Sequence, residues 1–271
     1  MNHRAPRRHA FSLVELSIVL VILGLLTGGI LTGQSLIRAA ELRSETAQLS
    51  SFQTAVYNFR DKYFALPGDF PKAHQFWGSA GGSGVLGDGC QSATGTGTQT
   101  CSGNGDGNII IGGVNQYSEL FTFWQHLANA GLIEGSYTGK SGTAGTADHN
   151  FGENAPVSKL SNIGWGASWV NNDIPSPLGP VWKLNYNNWM TIGGDDGVWA
   201  DATPGTMLAE EVWNIDTKMD DGIPGTGKIH LYGVNACTDT GDNTLYKTSK
   251  YKLDYTTKNC SITFDYLGKG N

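Results

Sequence analysis

The stretch RRHAFSLVEL, residues 7–16, opens an apolar run that decides the class of this chain. From Leu16 to Ile37 the sequence holds 22 consecutive positions without a charged residue. As an α-helix this segment would rise about 33 Å, which is enough to cross a hydrocarbon core of about 30 Å. The pattern therefore predicts one membrane-spanning helix close to the N-terminus.

The charges before this run orient the predicted span. Arg4, Arg7 and Arg8 precede it, and no acidic residue accompanies them. Arginine-rich flanks stay on the cytoplasmic side, so the N-terminus should be cytoplasmic and the rest of the chain should lie outside. An ordinary secretory signal would have a shorter apolar core, followed by an A-x-A-like cleavage site, and no such triplet follows here.

One carboxylate stands at the start of the apolar stretch. A charge within a membrane segment costs a few kcal/mol, so Glu15 marks a functional position by default. A local role is the alternative, because Ser12-Leu13-Val14-Glu15 also fits a helix capping box.

The same stretch resembles the processing site of type IV prepilins and type II secretion pseudopilins. In that family a dedicated peptidase cuts before the apolar run and the new N-terminal residue is methylated. The resemblance implies cleavage between Ala10 and Phe11, methylation of Phe11, and Glu15 at the fifth mature position. Ala10 departs from the Gly that the family usually carries there. A buried Glu15 carboxylate could then pair with the N-terminal amine of a neighbouring subunit.

The resemblance also implies an organisation and a location. Residues 1–10 would be a basic leader, 11–37 the transmembrane part of the first helix, 38–65 its amphipathic stem, and 66–271 an extracytoplasmic head. The expected partners are the prepilin peptidase and methylase, other pilin or pseudopilin subunits, and the inner membrane. The head would be periplasmic, or extracellular once it is in a filament.

The composition indicates an ordered head that does not bind nucleic acid. Glycine is abundant, with 38 residues, but 8 Trp, 10 Tyr and 10 Phe oppose disorder. The formal net charge is −6, and the leader holds only positive charges, so the remainder is more acidic still. Such a body would repel phosphates.

The periodicity predicts an α+β fold, with a long N-terminal helix packed on a loop-rich head that contains an antiparallel sheet. An apolar stripe continues the helix to about residue 65, where Leu66-Pro67-Gly68-Asp69 ends it. We expect loop over 78–114, helices over 115–130 and from Thr203 to about Lys218, and short strands near 181–186 and 189–192. Three further strands are expected at 228–234, 249–255 and 259–266.

Four cysteines in an extracytoplasmic head predict two disulfides. Three pairings are formally open. The expected one joins sequence neighbours, Cys90 with Cys101 and Cys237 with Cys260. The first pair brackets one Gly/Thr-rich loop, and the second flanks the last strands.

Several clusters of Asp, Asn and Gly are candidate Ca²⁺ loops, although such residues also simply make turns. Some pseudopilins hold Ca²⁺ in a head loop, so the resemblance favours a site without locating it. No other cofactor is expected. The candidate ligands are Asn104, Asp106, Asn108, Asp195, Asp196, Asp220 and Asp221, with Asp216 beside the last pair.

The sequence contains no complete enzymatic motif. The segment 222–228, GIPGTGK, matches seven positions of a P-loop, but Ile229 replaces the required Ser or Thr. The resemblance implies a structural subunit, a minor pilin or pseudopilin of a type IV pilus or type II secretion filament, and no enzyme. The alternatives are a membrane-anchored adhesin or glycan-binding protein, and a membrane-tethered enzyme. For the adhesin, the Trp-rich segment 163–200 is either a glycan-binding face or core.

Overall fold

The computed structural model describes residues 13–160, 163–169, 175–176, 179–180, 182, 187–195 and 205–268. The chain divides into two compact units, Met1–Arg43 and Ser44–Asn271. The first helix, α1, spans Leu13–Tyr63.

The second unit, from Ser44 onward, contains short helices and a small sheet. Along the chain, α1 is followed by α2, a 3₁₀ turn at Cys90–Ser92 and α3, and the first strand of the sheet comes after them. The elements after α1 are α2 (Ala73–Trp77), α3 (Glu119–Asn129), β1 (Gly164–Trp169), β2 (Pro175–Ser176), β3 (Gly179–Pro180), β4 (Asn188–Gly193), α4 (Ala209–Met219), β5 (Ile229–Tyr232), α5 (Val234–Cys237) and β6 (Ser261–Gly268).

The main sheet has four strands in the order β1-β4-β6-β5, and every neighbouring pair is antiparallel. Trp165 of β1 lies opposite Ile192 of β4, and Ile192 lies opposite Ile262 of β6. All three side chains are buried. The predicted α+β class, with a long N-terminal helix and an antiparallel sheet, is confirmed.

One aromatic contact set ties α1 to the rest of the second unit. The Phe52 ring meets Trp124 of α3 and Trp165 of β1 edge to face, with both centroid distances at 5.1 Å. Trp165 also stacks on Phe264 of β6 at 5.7 Å and donates its indole N–H to Gln48 of α1 at 3.0 Å. Leu49, Phe52, Val56 and Phe59 are all buried, so the apolar stripe predicted the buried face of this part of α1 correctly.

The end of α1 has an unusual conformation. The helix stops at Tyr63, and Phe64 takes a left-handed backbone with φ of 53°. Glycine is the usual residue there, because a side chain in that conformation costs about 1–2 kcal/mol. Pro67 then prevents the helix from resuming.

Two predicted helices begin later in the structure than the sequence predicts. The helix expected from residue 115 begins only at Glu119, because Asn115 is left-handed and Tyr117 forms a β-bridge with Lys140. The helix expected from Thr203 has its described start at Ala209, since Met207 exchanges backbone hydrogen bonds with Cys260. Residues 203–204 and 181–186, apart from Trp182, lie outside the described residues.

The predicted strand over 249–255 is wrong. Only Tyr251 pairs there, in an isolated bridge with Thr238. The alternation of Tyr251, Leu253 and Tyr255 reflects a turn, in which the Tyr255 N–H donates to the Lys252 carbonyl at 3.0 Å. Strand β1 was not predicted, because its glycines are typical of turns as much as its tryptophans are typical of strands.

The two disulfides are those predicted. Cys90 pairs with Cys101, with Cα atoms 5.8 Å apart, and Cys237 pairs with Cys260 at 5.9 Å. All four side chains are fully buried. The first bridge closes a loop that otherwise has little regular structure, and the second ties α5 to the start of β6. Bridges of this kind typically stabilise a domain by about 2–4 kcal/mol.

Candidate functional site

The N-terminal segment is the first candidate site. Glu15 lies in the first turn of α1, and its side chain is exposed. Ala10 and Phe11, where the sequence predicts cleavage and methylation, lie outside the described residues. Asp196, one of the candidate calcium ligands, does so as well.

The helix after Glu15 presents an apolar surface suited to lipid or to neighbouring helices. Its apolar window has a mean hydropathy of 2.4 and is long enough to cross a membrane. The hydroxyl groups of this segment donate back to carbonyl oxygens one turn earlier, at 2.8–3.1 Å, so they need no water. These hydroxyls belong to Ser17, Thr27, Thr32 and Ser35.

The last turn of α4 and the residues that follow it bring together three carboxylates, which we call the acidic turn: Asp216, Asp220 and Asp221. Each offers an oxygen within 4.8 Å of the others, and no second such group of His, Cys, Asp or Glu occurs in the described part of the chain. Asp216 is fully buried, and Tyr251 donates its hydroxyl to Asp216 Oδ2 at 2.7 Å. Burial, and then the neighbouring Asp221 and Asp220, raise the pKa of Asp216 to about 7.

Backbone donors hold the other two carboxylates in place. Asp220 Oδ2 accepts the N–H groups of Lys228 and Ile229, the latter at 2.9 Å. Asp221 Oδ1 accepts the N–H of Ile223 at 2.9 Å. The acidic turn thus holds three carboxylates in fixed positions, and carboxylate oxygens are the atoms that Ca²⁺ prefers as ligands.

The loop around Asn104 has a different organisation. Asn104 and Asp106 hydrogen-bond to each other, and Asp106 Oδ1 accepts the Asn108 N–H at 2.8 Å, so these side chains stabilise turns. Asp69 binds the N–H groups of Gly105 and Gly107 on the same loop.

A second carboxylate, Glu119, fixes the two ends of that loop. It accepts the N–H groups of Asn104 at 2.9 Å and Ile110 at 3.1 Å. Burial raises the pKa of Glu119 to about 8. The sequence analysis missed both Asp69 and Glu119, and only their position beside Gly-rich turns could have drawn attention to them.

The remaining candidates are structural in the described residues. Asp195 accepts the backbone N–H of His149 at 2.9 Å, and the structure does not group it with the acidic turn. In the Trp-rich segment, Trp165, Trp182 and Trp189 are buried, which confirms them as core. A glycan-binding face built from these rings therefore loses its support.

Comparison with known proteins bears on the N-terminal segment alone. Residues 5–31 match the family model described as the prokaryotic N-terminal methylation motif. No curated protein and no solved structure matches the chain. The match includes Ala10, Phe11 and Glu15 and continues into the apolar helix, which fits a single-pass inner-membrane anchor. The chain therefore carries the signature of type IV pilins and pseudopilins, a motif family that is structural rather than enzymatic.

Proposed function

We propose that the chain is a minor structural subunit of a type IV pilus or type II secretion filament. The observation that carries the proposal is the methylation motif at 5–31, which runs directly into an uncharged apolar helix surface. The head is large and rich in irregular loops, which supports a minor subunit.

The N-terminal residues take distinct roles in this proposal. The prepilin peptidase cuts between Ala10 and Phe11, and Phe11 is then methylated. Residues 1–10 are the leader, 11–37 the span, 38–65 the stem, and 66–271 the head. Glu15 pairs with the N-terminal amine of a neighbouring subunit, since a carboxylate in lipid needs a positive partner.

The location follows from the same assignment. Before assembly the chain crosses the inner membrane once, with its N-terminus in the cytoplasm. The head is periplasmic, and in the filament it is exposed outside the membrane. The partners are the processing enzyme and other pilin or pseudopilin subunits.

The acidic turn is the calcium site that we propose for the head. Asp216, Asp220 and Asp221 would hold the ion, and its charge would relieve the repulsion among them. The carboxylates already lie together, which supports this assignment over the Asn104 loop.

The test of the filament proposal is where the chain is found. A tagged copy should appear in the sheared filament fraction, or crosslink to pilin-type subunits in the envelope. In cells that lack the prepilin peptidase it should stay in the membrane at its unprocessed mass. A tagged chain that is processed but never associates with pilin-type subunits would contradict the proposal.

A further inference from the structure

A cleft of about 620 Å³ lies beside the C-terminal end of α1. The last turns of α1 form one wall, and the loop at Gly105 and Gly107 forms the other. Asp69 supports the second wall, because its carboxylate accepts the Gly105 N–H at 2.5 Å and the Gly107 N–H at 2.7 Å. The volume is within the range of about 300–1,000 Å³ that is typical of small-molecule sites.

Phe64 lines this cleft in a conformation that packing does not explain. The residue is 89% exposed, although its backbone is left-handed with φ of 53°. Glycine would occupy the position without strain. Phe64 is thus an aromatic ring held in solvent at a conformational cost, and such outliers tend to occur at functional positions.

The polar groups of the cleft include both donors and acceptors. Arg60 Nη1 donates to the Leu267 carbonyl at 3.2 Å, and no carboxylate of the described residues forms an ion pair with its guanidinium. Within the described part of the chain, its other N–H donors have no acceptor. Asp61 and Tyr57, both exposed, add acceptors and a hydroxyl to the same lining.

From this combination we propose that the cleft binds a neutral saccharide of about two or three sugar units. A sugar ring has a C–H face that packs on an aromatic ring, here Phe64, and hydroxyl groups that both donate and accept. Arg60 would donate to those hydroxyls, and Asp61 would accept from them. The inference concerns a site within the second unit, from Ser44 onward, and does not depend on whether the chain enters a filament.

The charges favour a neutral ligand over the alternatives. A phosphorylated or acidic ligand would pair with Arg60 but would also face the carboxylates of Asp61 and Asp69. A purely apolar ligand would leave these charged groups desolvated without partners. A polyhydroxylated neutral ligand meets neither penalty.

The experiment uses the full chain in phospholipid nanodiscs, which avoid detergents with sugar headgroups. Saturation-transfer NMR is recorded with cellotriose, maltotriose and triacetylchitotriose, and with sialyllactose as an anionic probe. We expect at least one neutral trisaccharide to bind with a Kd of about 1 mM or tighter, and more tightly than sialyllactose. Phe64→Gly should weaken this binding about tenfold or more, because the stacking ring is lost.

Matched variants separate a ligand role from a structural one. Phe64→Gly should not lower the melting temperature, since glycine suits the left-handed position. Phe64→Trp should retain binding, and Phe76→Ala, at an exposed ring outside the cleft lining, should leave it unchanged. The proposal is overturned by no signal from any neutral trisaccharide at about 10 mM, by preferential binding of sialyllactose, or by binding that Phe64→Gly leaves intact.

Discussion

His126 Nδ1 accepts a 3.0 Å hydrogen bond from the backbone N–H of Gly68, and this contact fixes the tautomer of a fully buried imidazole. Nε2 must carry the proton, and it lies 3.0 Å from Thr100 Oγ1. The Thr100 hydroxyl in turn donates to Gln125 Oε1 at 2.6 Å. The neutral ring thus joins α3 to the turn after α1, and burial lowers the pKa of His126 to about 3.

Acid should destabilise the head through this histidine. The ordinary pKa is 6.5 and the folded pKa is about 3, so between these values the unfolded chain binds the proton and the folded chain does not. Stability is complete above about pH 6.5 and is lost as the pH falls toward 3. We expect His126→Asn, which keeps an acceptor for Gly68, to cost about 1–3 kcal/mol at pH 7.5.

The pH dependence of this cost distinguishes titration from packing. The difference between wild type and His126→Asn should shrink by up to about 1.4 kcal/mol per pH unit below pH 6. Denaturant unfolding of the full chain in nanodiscs, followed by Trp fluorescence between pH 7.5 and 4.5, measures it. A difference that stays constant over that range would contradict the assignment.

Phe52 should be among the most sensitive positions of the core. Its ring makes edge-to-face contacts with both Trp124 and Trp165 and is 6% exposed. Phe52→Ala should destabilise the head by about 3–5 kcal/mol, because it leaves a cavity between three elements. Tyr57→Ala, on the same helix but 51% exposed, should change stability by less than about 0.5 kcal/mol. Equal effects of the two substitutions in thermal unfolding would show that α1 does not pack through Phe52.

The predicted parts of the fold are those with a strong local signal. The run 16–37 is long and uncharged, and the apolar stripe from residue 42 to 63 has helical period, so α1 was predictable. The pairing of Cys237 with Cys260 was predicted correctly although the strand expected between them at 249–255 does not form; the two residues instead follow β5 and precede β6, whose ends Tyr232 and Ser261 are paired. β1 was not, since its strand character comes from pairing with β4 rather than from Gly164 and Gly166 themselves.

The candidate sites divide in the same way. Glu15 stands out because placing a carboxylate at the start of a membrane-spanning segment costs free energy. Such a residue can be recognised in a single sequence. Asp69 and Glu119 were missed because their role depends on loop 104–110 folding back over them. The cleft at Phe64 was missed because a left-handed backbone at a phenylalanine cannot be inferred from residue type.

Calcium should stabilise the head if the acidic turn binds it. Ca²⁺ at a concentration about 100 times its Kd should raise the unfolding free energy by about 2.7 kcal/mol, and EDTA should reverse the effect. Asp220→Asn should remove most of this response. Asp106→Asn, in the other candidate loop, should preserve it. A melting temperature that Ca²⁺ does not move, or a response lost only in Asp106→Asn, would argue against the acidic turn.

Processing should leave a defined N-terminus. If the motif at 5–31 is used as proposed, the membrane-extracted chain begins at N-methylated Phe11. Ala10→Gly should be cut at least as completely, because glycine is smaller still. Ala10→Leu should accumulate uncut, since a bulky side chain replaces a small one. Mass spectrometry of the N-terminal peptide identifies the first residue in the wild type and in both variants. A mature chain that starts at Met1 or beyond Ile37 would exclude cleavage between Ala10 and Phe11.

Glu15→Gln should separate membrane insertion from assembly. Neutralising the carboxylate makes the span more apolar, so the variant should still insert. Cleavage should also survive, because the cut precedes Phe11 and depends mainly on the leader and the Ala10–Phe11 bond. Losing one partner of a buried charge pair typically costs about 3–5 kcal/mol, which would exclude most of the variant from filaments. Blotting of sheared fractions, with crosslinking in intact cells, compares it with the wild type.

A second acidic residue of the same helix provides the control. Glu41 pairs with Arg38 at 2.9 Å in a partly exposed position, and such pairs are typically worth about 0–1 kcal/mol, so Glu41→Gln should assemble normally. Gln at position 15 still supports a capping box, and a purely local role of Glu15 therefore predicts no defect in Glu15→Gln either. A processed, membrane-resident Glu15→Gln that fails to assemble can then be attributed only to the missing charge. Normal incorporation would instead favour the cap and remove the electrostatic basis for subunit registration.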